Sequence, residues 1–508
     1  MPVGHKAPPD AKPIGLGQAL YEEIAAQIED GTLREGTPLA STRALADERG
    51  LSRATVSLVY EQLAADGLIV TRVGTASRVA QGISPSHRRR SAGSSSCISH
   101  TVPAGKLSAM AENVLSNAAP TPQVTPPNIV DFVYGPLSAR DFPSDAWMRA
   151  LRAGERQKGE QLSYIDPRGD LALRQELQTH LGKTRGLSCT LDQILIVNGS
   201  QQALDLCGRL LVDPGDKVVV ESPGYLMAQK AFESYGGHLE FIDVDEHGLK
   251  TSTLSRISSA QLVYVTPTHQ FPLGGFLPLG RRHELLSWAE RSGAWVVEDD
   301  YDSEYRYSIR PEDTLYSLNE SRVIHVGTFS KTLSPQMRLG YMVLPRPLIG
   351  VFVEAKRLAD RHSSIASQQA LAKLLQDGTY ARHIRRLRRV QQSRQRALLH
   401  ALKIHFEGQI RVEGAASGLH IVVWFNNVPS GQESELMATA LEHGVKLYPI
   451  SPLYRQSRQT PNRTAGAVVG YALLEPQEIT AGIAKLANAL AQFGNADSQA
   501  TKSGLEKK

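Results

Sequence analysis

Leu16, Leu20, Ile24 and Ile28 recur every four residues, an apolar stripe along one side of a first helix that Gly31 ends. A second helix follows Ser41 and runs through Arg43-Ala44-Leu45-Ala46 to Gly50, a left-handed stop. Ser52 then caps a third helix that turns Val56, Val59 and Leu63 inward. Two short helices joined at Gly50-Leu51 make a helix-turn-helix. After Asp66-Gly67, the alternation from Leu68 to Arg72 and the return from Ser77 to Ala80 pair around Gly74 as a small hairpin, or wing. Residues 14–80 are therefore expected to form a winged helix-turn-helix.

The pattern then changes twice. Between residues 81 and 128 the run His87-Arg88-Arg89-Arg90, the Ser/Gly stretch from Ser91 to Ser96, and Pro120, Pro122, Pro126 and Pro127 bury little apolar surface, which predicts a flexible linker. From Val130 onward short β-rich runs alternate with helical stretches: Ile194 to Val197, Lys217 to Val220, Leu262 to Thr266, Trp295 to Val297, Val323 to Val326 and Tyr341 to Leu344. That rhythm predicts an α/β body over 129–493 with a large, mostly parallel central sheet, its large lobe about 160–350. Ala355 to Phe406 reads as mainly helical. A small C-terminal α+β lobe, about 400–493, carries strands near Leu419 to Trp424, Val445 to Tyr448 and Val468 to Tyr471. The polar stretch 494–508 is expected to be a disordered tail.

Length and composition bound the reading. A chain of 508 residues with 41% hydrophobic content can bury more than one core, and about three domains are expected. No apolar stretch reaches bilayer length and Met1 to Asp10 lacks the apolar centre of a secretory signal, so a soluble, cytoplasmic protein is expected. Cys97, Cys189 and Cys207 are too few and too scattered for a disulfide framework or zinc spacing. The net charge of +5 does not localise to the head, where six Lys/Arg face nine Asp/Glu. Nucleic-acid binding must then rest on where Arg34, Arg43, Arg53, Arg72 and Arg78 point. The run Arg382, Arg385, Arg386, Arg388, Arg389, Arg394 and Arg396 reads as a charged helix face.

Candidate chemistry lies in the body. Asn198-Gly199-Ser200-Gln201-Gln202 joins a strand to a helix, so its amides face an anion such as a phosphate at a helix N-terminus. Thr328, Ser330 and Arg338 surround Lys331 in sequence and complete such a phosphate cup. Asp299 closes an apolar strand, where a carboxylate is costly unless it meets a cation, and a protonated pyridine nitrogen is such a partner. Tyr301 suits the ring's 3-oxygen, Tyr225 its face, and Lys331 the Schiff base. Taken singly, an Asp at a strand end is more often a helix cap, a Tyr a core filler and a Lys a solvated residue. The ordered set is what points to pyridoxal 5'-phosphate.

These stretches carry a resemblance over nearly the whole length. The head resembles the GntR pattern in Gly31-Thr32-Leu33-Arg34-Glu35-Gly36, Ser41-Thr42-Arg43-Ala44-Leu45-Ala46 and Ser52-Arg53-Ala54-Thr55-Val56. The body resembles the MocR subfamily in Thr266-Pro267-Thr268-His269-Gln270-Phe271-Pro272, Glu298-Asp299-Asp300-Tyr301-Asp302-Ser303-Glu304-Tyr305 and the motif around Lys331. That subfamily of GntR-type regulators fuses a winged helix-turn-helix to a fold-type I aminotransferase-like domain. The resemblance implies Lys331 as the Schiff-base lysine, Asp299 at the pyridinium, Tyr301 at the 3-oxygen and Tyr225 on the ring face. Departures are Ala40 where the pattern favours proline, a missing second glycine in Gly74-Thr75-Ala76-Ser77-Arg78, and His269 or Gln270 as substitutes for an Asn before the Pro-Thr-Gly turn. Met227 stands where a 4-aminobutyrate-responsive relative carries an arginine. Arg455 and Arg463 are unplaced candidates for a ligand anion.

In the head, Arg53, Thr55 and Ser57 are expected to face the DNA groove, Ser52 and Arg43 the phosphates, and Arg72 and Gly74 the wing contact. The implied function is a homodimeric, pyridoxal phosphate-dependent transcriptional regulator that binds promoter half-sites in double-stranded DNA and senses a small amine, an amino acid or the cofactor itself. An aminotransferase with an accessory head and a cofactor-free DNA-binding scaffold are the alternatives.

Overall fold

The computed structural model describes residues 16–71, 76–80, 106–118, 125–156, 163–307, 313–455 and 463–505. The chain divides into two compact units, Met1–Ala104 and Gly105–Lys508.

In the first unit, helices Leu16–Glu29, Thr42–Arg49 and Arg53–Ala65 precede the antiparallel strands Ile69–Val70 and Arg78–Val79. Leu20, Ile24 and Ile28 of the predicted stripe are buried and close one core with Leu45, Val56, Val59, Leu63, Ile69 and Val79, whereas Leu16, the first residue of the helix, is 73% exposed. The turn chemistry follows the residues. Ser41 Oγ accepts from Ala44 N at 3.2 Å, Gly50 takes φ 63°, and Ser52 Oγ accepts from Thr55 N at 3.1 Å. Ala40, where the pattern favours proline, turns its carbonyl to the Tyr60 hydroxyl at 2.8 Å. Arg72 and Gly74 lie outside the described residues.

The second unit holds an eight-stranded sheet in the order Ile194–Val197, Gly340–Val343, Val323–Thr328, Trp295–Asp300, Leu262–Val265, Lys217–Ser222, His238–Asp245 and Gly248–Leu249. Gly340–Val343 runs against both neighbours and Gly248–Leu249 against His238–Asp245; the other pairings are parallel. Alternate residues feed opposite faces: Ile194 and Ile196 enter one apolar core, Leu195 and Val197 the other. A second, antiparallel sheet of Ile410–Glu413, His420–Pro429, Thr464–Gly470 and Tyr448–Pro449 builds the small lobe. Val130–Asp131 pairs with Val445–Lys446, so the body's N-terminal segment belongs to that lobe.

Two expectations change. Inside the expected linker, Ala109–Ser116 is a helix that packs on Leu226–Ser234; Ser108 Oγ caps its start, and Lys230 Nζ donates to the carbonyls of Asn117 and Ala118 at 2.9 and 3.2 Å. A cap at one end and a cation at the other hold a helix too short to persist alone. The remainder of 81–128 up to residue 105, and 119–124, lie outside the described residues. At the C-terminus one helix, Pro476–Leu505, runs through most of the expected tail, because extending a docked helix adds a hydrogen bond per residue without a new nucleus. Part of the arginine run is structural: Arg394 is buried on Asp141 and Glu475, and Arg386 and Arg388 donate to the carbonyls of Asp141 and Glu304.

Candidate cofactor site and DNA-facing helix

Strand Trp295–Asp300 ends in three carboxylates that alternation sorts between two faces. Glu298 is fully buried and accepts from the amides of Leu315 and Tyr316 at 2.8 and 3.1 Å, with His325 Nδ1 at 3.0 Å. Asp300 accepts from Arg185 Nε at 2.8 Å. Asp299 faces the other way, into a cavity of about 310 Å³ at the C-terminal edge of the parallel strands.

Tyr264, the one polar side chain in the buried strand Leu262–Val265, donates its hydroxyl to Asp299 Oδ2 at 2.8 Å. Oδ1 is buried without a partner among the described residues. Burial is the main cause that pushes this carboxyl up to about 6; the Tyr264 bond opposes it, Asp300 adds to it, and His325 and Lys331 oppose it less strongly. A protonated ring nitrogen is one donor whose chemistry fits such an orphan acceptor.

Lys331 Nζ reaches the same cavity and donates to the carbonyl of Gly135 at 2.9 Å. Burial lowers its pKa below the ordinary lysine range, against Asp302 and Asp299, and so raises the share of free amine that can act as a nucleophile. Ser200 and Gln201 line the cavity from the start of helix Ser200–Leu211, Thr328 lines it from the end of strand Val323–Thr328, and Ser330 and Arg338 line it from the loop that leads to Gly340–Val343. Thr328 Oγ1 donates to Ser330 Oγ at 3.0 Å, and Arg338 Nη2 donates to the carbonyl of Asn198 at 2.7 Å. Gly199 adopts φ 79°, and a Cβ there would lie 2.8 Å from Arg338 Nη2, so the cup closes only around glycine.

Tyr301 and Tyr225 also line the cavity. Tyr225 meets Phe271 edge-on at 5.7 Å, and its phenol is pushed up to about 12 by burial, then Asp299 and Tyr134. His269 does not line the cavity: it is buried behind Tyr301, with Nδ1 2.8 Å from Asp302 Oδ2 and 3.0 Å from the Tyr301 hydroxyl. With the Nδ1 hydrogen directed at the carboxylate, the Tyr301 hydrogen is free to point elsewhere. Gln270 is turned away, its Nε2 donating to the carbonyl of Pro223 at 2.9 Å.

The lining residues to which the sequence assigned no role are Tyr134, Gly135, Tyr264, Pro335, Leu419 and His420, together with Thr266, Phe271 and Asp302, which it marked only as parts of the family motifs. A tyrosine inside an otherwise aliphatic strand was the readable signal for Tyr264. Tyr134, Gly135 and His420 come from segments far apart in the chain, which no local pattern joins.

On helix Arg53–Ala65 the exposed side chains are Arg53, Ala54, Leu58, Glu61, Gln62 and, at its end, Ala65, with Ser57 half-buried beside the first of them. Arg53 and Arg43 are exposed and form no ion pair among the described residues. Ser52 is the helix cap. Thr55 sits behind it: its hydroxyl pairs with Ser52 Oγ at 2.8 Å and its methyl faces Gly17. Leu58, 65% exposed, is an apolar side chain on the same helix that the sequence pattern did not single out.

Comparison with known proteins bears on both units. Residues 134–463 match the family described as aminotransferase class I and II, and residues 16–79 match bacterial regulatory proteins of the gntR family. The chain is 34% identical over 480 residues to a probable rhizopine catabolism regulatory protein MocR of Rhizobium meliloti, covering 94% of each chain. It is 30% identical to the HTH-type pyridoxine biosynthesis transcriptional regulator PdxR of Corynebacterium glutamicum, over 81% of this chain and 84% of that one. Among solved structures, Pyrococcus horikoshii kynurenine aminotransferase in complex with PMP superposes with a TM-score of 0.66 at 30% identity, covering 77% of this chain and 95% of that one.

Proposed function

The chain belongs to the MocR group of gntR-family bacterial regulatory proteins, and from that membership we propose that it is a DNA-binding transcriptional regulator that senses a primary amine through pyridoxal 5'-phosphate held at Lys331. The observation that carries the cofactor half is the pairing of an orphan buried acceptor, Asp299 Oδ1, with a buried lysine amine in one cavity.

When bound, the cofactor supplies an aldehyde carbon that joins a primary amine through a reversible C=N bond. The chain's residues do the rest. Asp299 holds a proton on the ring nitrogen, Tyr301 donates to the 3-oxygen, and Tyr225 covers the ring face. The amides at Gly199, Ser200 and Gln201, the hydroxyls of Thr328 and Ser330, and Arg338 hold the phosphate. His269 acts at one remove by orienting Tyr301.

In this reading residues 14–80 bind DNA, 129–493 bind the cofactor, and two copies pair through the body so that two heads meet two half-sites, in the cytoplasm where the promoter is. Arg53 and Ser57 face the groove with Ala54 and Leu58, Arg43 sits on phosphate, and Ser52 and Thr55 set the start of the reading helix. An amine, an amino acid or the cofactor alters operator binding to the extent that it favours one arrangement of the body over another.

The test is a footprint on the upstream promoter with and without pyridoxal phosphate, for wild type and Lys331→Ala, alongside borohydride reduction and peptide mapping. A footprint that responds to the cofactor only in wild type, with the pyridoxyl mass on Lys331, is the expected result. Repeated turnover with an amino acid and an oxo-acid at ordinary enzymatic rates, and no specific footprint, makes the protein an aminotransferase instead.

A further inference from the structure

The end of the cavity beyond Lys331 Nζ is built from acceptors and rings. Gly135 offers its carbonyl, which already receives the lysine at 2.9 Å. Asp302 lines the same space, one carboxylate oxygen taken by His269. His420 Nε2 lies 3.0 Å from the carbonyl of Pro272, which can only accept, so Nε2 carries the hydrogen and Nδ1 is left as a lone pair. Burial, then His269 and Lys331, push this imidazole down to about 3, so it holds no positive charge near neutral pH. Around these acceptors Tyr134, Phe271 and His420 pack with ring centroids 5.4 to 6.3 Å apart.

Cations are placed otherwise. Among the described lining residues only Lys331 and Arg338 are cationic, and Arg338 is bonded to the Asn198 carbonyl against Gly199, on the side of the phosphate cup. Neither arginine that the sequence offered for an anion lines the cavity: Arg455 lies over the Phe241 ring at 5.5 Å, and Arg463 lies over the Tyr454 ring at 3.6 Å with a bond to Ser451 Oγ. A carboxylate entering beside Lys331 would meet Asp302 and bare lone pairs in a buried setting, whereas an ammonium or hydroxyl would find an acceptor.

We propose that the effector is a primary amine without a carboxylate, whose remaining polar groups are hydrogen-bond donors, hydroxyls or a second ammonium, directed at Gly135, Asp302 and His420. This rests on the cofactor reading above and narrows it to one chemical class.

Matched pairs that differ by a carboxylate alone test it. The full chain, loaded with pyridoxal phosphate and shown by borohydride mapping to hold it on Lys331, is titrated with ethanolamine against serine and with tyramine against tyrosine, followed by the cofactor's absorbance and by calorimetry. Each amine is expected to bind on the order of tenfold to a hundredfold more tightly than its amino acid. Asp302→Asn, folded by thermal melt, is expected to narrow that gap severalfold. The proposal is overturned if the amino acids bind as tightly as the amines or more so, if no member of either pair binds, or if the gap is unmoved by Asp302→Asn. Tight amino-acid binding lost in Arg463→Gln would place the carboxylate at that guanidinium, whose Nε and Nη1 are buried and without a partner among the described residues. Failure to load Lys331 at all removes the cofactor reading itself, a result separable from every titration outcome.

Discussion

Tyr264 donates to Asp299 Oδ2 at 2.8 Å and leaves Oδ1 of the same buried carboxylate with no partner among the described residues. One oxygen of the acid is tied to the sheet, and the residue lines the cavity. The side chain is thereby held in place before a ring nitrogen arrives, so ligand binding need not order it.

That arrangement predicts a pH dependence. The folded pKa of Asp299 is raised from 3.8 to about 6, so in the cofactor-free protein the folded state binds a proton that the unfolded state releases. Stability from this group is full below about pH 4, falls between about 4 and 6 and is flat above, a loss of about 3 kcal/mol. A ring cation at Oδ1 cancels the penalty. Glu221, pushed up to about 7 by burial, titrates nearby in both forms and largely drops out of the difference. The shift in melting temperature on adding pyridoxal phosphate should therefore be larger at pH 7.5 than at pH 5, and Asp299→Asn should make it equal at the two. A wild-type shift independent of pH would contradict this.

The phosphate cup gives a second prediction. Gly199→Ala introduces a Cβ 2.8 Å from the Arg338 guanidinium at a residue with φ 79°. Strain of about 1 kcal/mol or more and displacement of Arg338 act together, and cofactor affinity should fall by at least about tenfold while the body stays folded. Fluorescence titration against melting temperature separates the two effects.

How much of this was legible follows from the range of the interactions involved. The head was readable almost throughout, since Ser41, Gly50 and Ser52 act within a turn or two and Leu45, Val56 and Leu63 repeat with the helix. Most strands of the large sheet were visible as apolar runs. His238–Asp245 was not, because it lies next to the sheet edge, is half exposed and interleaves charges with its apolar residues. In the site, Lys331, Asp299, Tyr301 and Tyr225 were marked by motif, and they line one cavity. Tyr134, Gly135 and His420 were invisible because the small lobe delivers them by long-range pairing. His269 was noticed for the right neighbourhood, yet only the structure shows it one layer back, behind Tyr301.

The helix inside the linker yields a third prediction. Lys230 Nζ holds the carbonyls of Asn117 and Ala118 where helix Ala109–Ser116 ends. Lys230→Met removes a cation and two hydrogen bonds there, at a cost of roughly 1 to 2 kcal/mol to local order. Amide exchange across residues 109–116 should accelerate about tenfold with exchange in the sheet unchanged; equal protection in both proteins would show that packing alone holds the helix.

Two of the head's arginines, Arg43 and Arg53, can be told apart by salt. Each phosphate contact contributes about 0.9 to the slope of log K against log salt, whereas a base contact contributes little to the slope and more to discrimination between sequences. Arg43 and Arg53 are both exposed without an ion pair among the described residues, but Arg53 opens the third helix beside Ala54 and Ser57 while Arg43 lies on the second. Arg43→Ala should therefore lower the slope by about 1 and weaken operator and random DNA alike. Arg53→Ala should leave the slope nearly intact and cost about 1 to 3 kcal/mol on the operator alone. Neither change should move the melting temperature, because both side chains are exposed, whereas Leu63→Ala, at a position with no exposure, should cost about 2 to 5 kcal/mol and abolish DNA binding by unfolding the head. Fluorescence anisotropy across a salt series, on operator and scrambled duplexes, measures all three; equal slopes and equal losses for the two arginine variants would contradict the assignment.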